Sequence, residues 1–384
     1  MRDVLNIGPV LMLTVDNAYP FLHARGLVDR AAVLDGDLEI TSSTRRNRNL
    51  TIKSETGANY VIKQPEPDAI DAQNTLRREM AFYSFCSKTA AAEPVRALLP
   101  RLAYTDSEDV LLVLDLVPRS TQLWRHYETS GPENFPVAAA REVGAALGIM
   151  HRTFAAPDLL RDVGGAGLVA DPPTPLSLAY PAPDVRSYIS PAALEIVQRV
   201  QSEDGMLARL DAIAARWRAT TVVHGDIKLD NILVQHAAPE DGDGSAVRVY
   251  LVDWELVQKG DPAWDVAGAL RDFIFFWVIF MNPELEPDQM AEQARFPLAV
   301  LQGAIRELWA GYCATNSEAD EDLLARAVDY AAVRMIRTAL DLSSTFPAVP
   351  APAELLLRVA SNLLADPMNG RVELFGLDKA RVAA

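Results

Sequence analysis

The chain has 384 residues, 49% hydrophobic and 23% charged, which fits a globular protein large enough for two lobes around a sizeable core. A formal net charge of −16 argues against nucleic acid and anionic membrane as general partners; it suits cationic substrates or simply a well-solvated acidic surface. Two cysteines, Cys86 and Cys313, form neither a disulfide framework nor a zinc spacing and fit a reducing cytoplasm, and the opening MRDVLNIGPVLMLTV lacks the apolar core and cleavage site of a signal peptide.

In chain order, residues 18–35 read as a helix capped by Gly36. Strands are expected at 38–41, 50–54 and 59–64, the last two joined through Glu55-Thr56-Gly57-Ala58, a hairpin signal. Residues 68–88 read as a helix, with Leu76, Met80 and Tyr83 at helical spacing and Glu79 among them. The run VLLVLDL at 110–116 is a continuous apolar strand. Beyond Pro118 the pattern is mostly helical: a helix over 136–154, an irregular Pro-, Gly- and Ala-rich stretch over 156–191, and helix over 192–218. Residues 221–253 read as strand–loop–strand, with a hairpin tip at 238–246. That tip lacks the closing glutamate of a calcium loop and reads as a turn. Helices are expected over 264–281, 288–315, 319–342 and 352–365; the aromatic run at 273–281 is too short to cross a bilayer and reads as buried helix. Sheet first and helices after predicts an α+β protein of two lobes.

Chemistry concentrates in VVHGDIKLDNILV, residues 222–234. A turn needs one Asp or Asn, whereas this loop carries His224, Asp226, Lys228, Asp230 and Asn231 between strand-like anchors. A second apolar strand, Val249-Tyr250-Leu251-Val252, runs into Asp253-Trp254-Glu255, and a hairpin between the two strands brings Asp253 near Asn231. Their amide and carboxylate oxygens are the hard ligands that Mg²⁺ accepts, with water and substrate phosphate completing its shell. Asp226 then faces an acceptor hydroxyl, because phosphoryl transfer asks for an orienting carboxylate more than for a strong base. Lys228 either offsets charge on the moving phosphoryl group or is a solvated loop lysine. Lys63, on the strand NYVIKQP, is a candidate for nucleotide phosphates if Glu79 pairs with it; the two also read as unrelated surface charges.

His224-Gly225-Asp226 with Asn231, then Asp253-Trp254-Glu255, then Gly260-Asp261-Pro262-Ala263-Trp264-Asp265, resembles the aminoglycoside phosphotransferase and choline kinase group of the protein-kinase-like fold. The similarity spans about residues 20–340 and is strongly specific over 222–267. It implies ATP and Mg²⁺ in a cleft between a small antiparallel-sheet lobe, residues 1–114, and a larger, mainly helical lobe, residues 115–384. It implies Asp226 as catalytic base, Asn231 and Asp253 as metal ligands and Lys63, held by Glu79, as phosphate ligand. A hinge at 114–117, including Leu114 and Leu116, would read adenine through its backbone. His224 and Asp265 would be structural supports, and Glu255 either touches a second metal or is a surface acid.

The nucleotide-covering loop departs from the family's pattern: TSSTRRNRNL, residues 41–50, has no glycine. Ser43 and Arg45 can belong to a side-chain phosphate clamp, the loop can dock an anionic partner or peptide, or it is a solvated basic turn. The expected reaction is transfer of the ATP γ-phosphate to a hydroxyl of a small molecule such as an aminosugar or other natural product. Glu284, Glu286 and Asp288 would hold a cationic acceptor or else form a solvated helix start. Two alternatives stand beside it. One is phosphorylation of peptide Ser or Thr during natural-product maturation, with a partner subunit. The other is a non-catalytic pseudokinase, against which Lys63, Asp226, Asn231 and Asp253 all speak.

Overall fold

The computed structural model describes residues 11–30, 37–44, 48–55, 57, 59–165, 167–173, 176, 190–236, 247–285 and 287–378. The first lobe comprises helix α1 (Ala18–Ala24), strands β1 (Leu38–Thr44), β2 (Arg48–Ser54) and β3 (Tyr60–Gln64), helix α2 (Ile70–Lys88), the short α3 (Glu93–Arg96), and strands β4 (Leu102–Asp106) and β5 (Leu111–Asp115). The five strands form one antiparallel sheet in the order β1-β2-β3-β5-β4.

Side chains alternate across a strand, and here the two faces serve two cores. Leu50, Ile52, Tyr60, Ile62, Leu111 and Val113 pack with Leu13, Phe21 and Leu22. Leu112 and Leu114 face the other way, onto Leu76, Met80 and Tyr83 of α2, in a core that continues into the helical lobe. Strand β5 is apolar from Leu111 to Leu114 because both its faces are covered there.

The second lobe runs through β6 (Ser120–Gln122), α4 (Leu123–Ser130), α5 (Val137–Phe154), α6 (Pro157–Gly164), α7 (Pro191–Ser202), α8 (Met206–Ala214), β7 (Thr221–Val223), β8 (Ile232–His236), β9 (Val247–Leu251) and β10 (Gln258–Gly260). It closes with α9 (Pro262–Ile279), α10 (Pro287–Glu292), α11 (Leu298–Thr315), α12 (Glu321–Ser343), α13 (Ala351–Ala365) and α14 (Pro367–Glu373). Two small antiparallel sheets, β6-β8-β9 and β10-β7, carry the loop of residues 224–231 between them. The α+β, two-lobed class expected from the sequence is the class observed.

Several boundaries differ, each for a local reason. Helix α1 stops at Ala24, ahead of Gly26 at φ 67, rather than running to 35; Gly36 lies outside the described residues. Strands β1 and β2 extend into the expected loop, pairing Ser42 with Leu50, Ser43 with Asn49 and Thr44 with Arg48, so most of 41–50 is hairpin. The side chains of Thr41, Ser42 and Ser43 tolerate such cross-strand pairing. The segment 192–218 divides at Gly205, φ 73, and 288–315 divides ahead of Pro297. Strand β4 was not anticipated, because all five of its residues are half-buried and lack alternation. The tip at 238–246 lies outside the described residues. Helix α9 buries Phe273, Ile274 and Phe276, and among the described residues no helix is long and apolar enough to cross a membrane.

Candidate active site

The loop after β7 is held by hydrogen bonds to many of its backbone polar groups. Gly225 sits at φ 85, where a Cβ would lie 2.3 Å from Leu256 O, so only glycine fits. Asp265, in the first turn of α9, accepts the backbone N–H groups of His224 (2.7 Å) and Gly225 (3.0 Å) and the Nε2–H of His151 (3.2 Å). Burial alone would raise the Asp265 pKa, but His151, His224 and these donors outweigh it and hold the carboxyl below its ordinary value. His224 donates Nε2–H to Val252 O (2.9 Å) and accepts the Asp226 N–H at Nδ1 (3.3 Å). Burial lowers the His224 pKa and favours this neutral ring.

Four further supports come from α9 and α12. Asp272 accepts the Leu229 N–H at 2.6 Å. Trp264 Nε1–H donates to Gly225 O at 3.1 Å. Arg334 donates to Gly225 O (3.2 Å) and Ile227 O (3.5 Å), its guanidinium 4.7 Å from the centroid of the Trp264 ring. Gly268 lets α9 approach, since a Cβ there would lie 2.6 Å from Ile227 O. Asp261 caps α9 by accepting the Ala263 N–H (3.0 Å) and pairs with buried Arg326 of α12 at 2.9 Å. None of Arg334, Asp272 or Arg271 was singled out from sequence. Their signal was present: charged residues inside otherwise apolar helical runs, which are rarely buried unless paired.

The loop presents three groups. Asp226 Oδ2 accepts from Lys228 Nζ (2.6 Å) and Asn231 Nδ2 (3.2 Å), while Oδ1 lies 3.8 Å from Arg334. Burial pushes the Asp226 carboxyl up, but Lys228, Arg334 and Arg271 together outweigh it, so it is held below the ordinary aspartate range. Asn231 is buried, and its Nδ2–H also bonds Asp226 O at 3.0 Å. The Val252 N–H donates to Asn231 O (3.0 Å), so the residues that precede β8 and follow β9 are neighbours across the hairpin. Asp253 comes next, at φ 68, a left-handed conformation that Asp tolerates better than most residues.

Lys63 of β3 joins the lobes. Its Nζ lies 2.8 Å from Glu79 Oε1 on α2 and 2.8 Å from Asp253 Oδ1. Burial, the largest influence, would lower its pKa; Glu79 and Asp253 together reverse that and raise it. Glu79 also accepts the Trp254 N–H (3.2 Å), tying α2 to the end of the hairpin.

The remaining sequence candidates lie elsewhere. Ser43 is exposed on β1, and Arg45 lies outside the described residues. Arg48 pairs with Glu66 at 2.9 Å. Leu114 is buried in the ladder opposite Val61, and the Leu116 N–H donates to Asn59 O (2.8 Å). Glu284 is exposed, Glu286 and the Asp288 side chain lie outside the described residues, and Glu255 is half-buried. A cavity of about 730 Å³ opens beside Asp226 and Lys228, walled by Leu256, Trp264, Arg271 and Arg334 among others; Lys63, Asp253 and Glu284 are not in its wall.

Comparison with known proteins places the chain in a family. The family model described as "Phosphotransferase enzyme family" matches residues 37–310. Among solved structures, a choline/ethanolamine kinase family protein from Mesorhizobium loti is 17% identical, with a TM-score of 0.48 over 94% of this chain and 98% of that one. A macrolide 2'-phosphotransferase from Brachybacterium faecium is 15% identical, with a TM-score of 0.48 over 92% and 99%. A choline kinase from Streptococcus pneumoniae is 13% identical, with a TM-score of 0.44 over 89% and 99%. No curated protein matches the chain. A match of 274 residues (37 to 310 inclusive), which takes in the whole of the loop, both strands of its hairpin and the Lys63–Glu79 pair, makes the chain a member of the phosphotransferase enzyme family, a kinase acting on hydroxyl groups.

Proposed function

We propose that the chain transfers the γ-phosphate of ATP to a hydroxyl of a small molecule, with Mg²⁺ as the accompanying ion. The observation that carries this reading is Lys63, shared between Glu79 and Asp253 at 2.8 Å each, while Asp226 lines a cavity whose wall includes neither Lys63 nor Asp253. One cation and one acid are thereby assigned to the nucleotide, and a second acid to the acceptor.

The donor set fits the ion. Among the described residues no group of three or more His, Cys, Asp or Glu side chains could hold a metal. An amide oxygen and one carboxylate, with phosphate oxygens and water as the other ligands, form a typical magnesium shell. Asn231 and Asp253 would hold it; when bound, Mg²⁺ supplies charge neutralisation at the phosphates. Lys63, kept extended by Glu79, would bind the non-transferred phosphates. Asp226, ionised by its cationic neighbours, would accept the hydrogen bond of the acceptor hydroxyl, orient its oxygen and take the proton late. Lys228 would turn from Asp226 toward the phosphoryl group and offset its charge.

The lobes are assigned as residues 1–114 for nucleotide and 115–384 for catalysis and acceptor, with a hinge at 114–117. Within that hinge the Asp115 and Leu116 N–H groups are donated to Arg101 O and Asn59 O, which favours Val117 N–H as the adenine-reading donor. The unpaired thiols of Cys86 and Cys313 suit a cytoplasmic setting.

The test is titration with a non-hydrolysable ATP analogue and Mg²⁺, followed by mass spectrometry of hydroxyl compounds incubated with Mg-ATP. Analogue binding, and phosphate transfer that Asp226→Asn abolishes, are expected. Failure to bind the analogue, or turnover that survives Asp226→Asn, would sink the reading.

A further inference from the structure

We propose that the acceptor is an anionic alcohol, carrying a carboxylate or phosphate group that the cavity beside Asp226 receives. The transfer step rests on the phosphotransferase reading above; the charge argument rests on the cavity wall alone.

A chain with a net charge of −16 would by default present acid to a ligand. This wall does the opposite. Arg78 from α2, Arg271 from α9, Arg334 and Arg337 from α12, and Lys228 from the loop converge on it. The wall's carboxylates are Asp171, Asp226 and Asp341, so cations outnumber acids five to three. The α12 contribution follows from helical spacing, because residues 334, 337, 338 and 341 share one face.

Pairing does not neutralise the set. Lys228 takes Asp226 at 2.6 Å, and Arg337 takes Asp341 at 2.9 Å. Arg271 pairs with Asp272 behind the wall at 2.6 Å. Among the described residues Arg334 pairs with Asp226 alone, already engaged, at 3.8 Å, while Asp265 and Asp272, which also act on it, are bonded to the backbone of the loop. Arg78 has no ion-pair partner among the described residues, and the remaining acid, Asp171, is exposed. Burial first, and the neighbouring charge of Arg271 second, push the Arg334 guanidinium down to about 10, the response of a cation short of counter-charge.

A second observation points to a ligand. Arg271 is 8% exposed, and its buried Nε has no hydrogen-bond partner. The hydrogen bond Arg271 makes runs from Nη1 to Asp272, so its guanidinium is only partly engaged, and a planar oxyanion is the natural complement of a guanidinium edge. Val169, Leu256 and Trp264 add apolar wall, which suits an acceptor with a carbon frame. A polyammonium compound would bring more positive charge to a wall already in excess of it.

The test uses the full chain, Mg-ATP and matched acceptors: gluconate and a hexose phosphate as the two anionic forms, glucose as the neutral one, glucosamine and kanamycin as the cationic ones. The expected result is kcat/KM for an anionic member at least about 10-fold above glucose, with the amines below it. The carboxylate and phosphate arms identify which oxyanion is preferred. Preference for the amines, or equal use of all, overturns the proposal while leaving phosphotransfer intact.

If none turns over, calorimetry with the same compounds, at saturating ATP analogue and Mg²⁺, decides. Binding confined to the anions supports the proposal; binding by none, or only by the amines, overturns it. A failed phosphotransferase reading shows separately, as no binding of the analogue. Arg271→Met threatens the buried pair with Asp272, so Arg337→Glu, at a side chain 45% exposed, carries the mutational arm. It is expected to raise KM (or Kd) for the anionic compound by about 10-fold or more and by a clearly larger factor than for glucose; an unchanged value for the anion, or the same rise for both, counts against the proposal.

Discussion

Asp265 accepts the backbone N–H groups of two successive residues, His224 at 2.7 Å and Gly225 at 3.0 Å, and so fixes the start of the loop that carries Asp226 to the first turn of α9. Asp265→Ala leaves both amides and the His151 Nε2–H buried without an acceptor. A loss of about 3 kcal/mol or more is expected from denaturant unfolding, with activity falling in the fraction that remains folded. A loss under about 1 kcal/mol would show that this anchor matters little.

Asp226 is stabilised as a carboxylate by Lys228, Arg334 and Arg271, not activated as a strong base. Asp226→Asn keeps its shape and is expected to lower kcat by at least about 100-fold, with nucleotide affinity little changed. Because the carboxyl titrates below its ordinary value of 3.8, its acid limb in kcat/KM lies below that pH. A limb near neutrality that vanishes in the variant would refute this assignment.

Removing Lys63 leaves Glu79 and Asp253 facing each other without a counter-ion. Lys63→Met is expected to destabilise the chain by about 3 kcal/mol and to weaken binding of an ATP analogue. Lys63→Met with Glu79→Leu separates the two effects: stability recovers in part, and nucleotide affinity does not. Recovery of both would make the pair structural only.

Asp253 occupies φ 68, where Asn is the best-tolerated replacement, so Asp253→Asn tests charge without disturbing the backbone. The half-saturating Mg²⁺ concentration for transfer is expected to rise about 10-fold or more, and likewise for Asn231→Ala. Chelation with EDTA should abolish transfer reversibly. An unchanged Mg²⁺ requirement in both variants would remove these residues from the metal site.

His224 is buried and titrates below its ordinary 6.5. A histidine with a depressed folded pKa contributes stability that is present above the unfolded value and is lost as pH falls from there to the folded value. Stability should therefore decline below pH 6.5 with a slope of at most about 1.4 kcal/mol per unit from this group. Asp253 and Asp265, also depressed, add their own losses only below the ordinary aspartate value of 3.8. His224→Gln should flatten the upper window; the same slope in wild type and variant would exclude His224 as its source.

The groups that could be read in advance are close in sequence or repeat a simple spacing. Asp226, Lys228 and Asn231 share one loop, and Asp253 follows from the hairpin of two apolar strands. The Lys63–Glu79 contact was foreseeable as one strand residue and one helix residue 16 positions apart. What escaped notice depends on distance along the chain. Arg334 reaches Gly225 O across 109 positions, and Asp272 reaches the Leu229 N–H across 43. No local pattern encodes either contact, although an arginine in an apolar helix was a cue. The positive wall was hidden for a related reason: whole-chain charge is strongly negative, and its exceptions assemble only when α2, α9 and α12 meet.

Arg334 belongs at once to the support of the loop and to the wall of the cavity. Its neighbours on the same helical face, Arg337, Thr338 and Asp341, bond no residue of residues 224–231. Two turns of α12 thus set a locked position beside adjustable ones. On the proposed reading, divergence toward new acceptors has its freedom at those three sites, whereas any replacement of Arg334 must disturb the backbone of the loop that carries Asp226 as well.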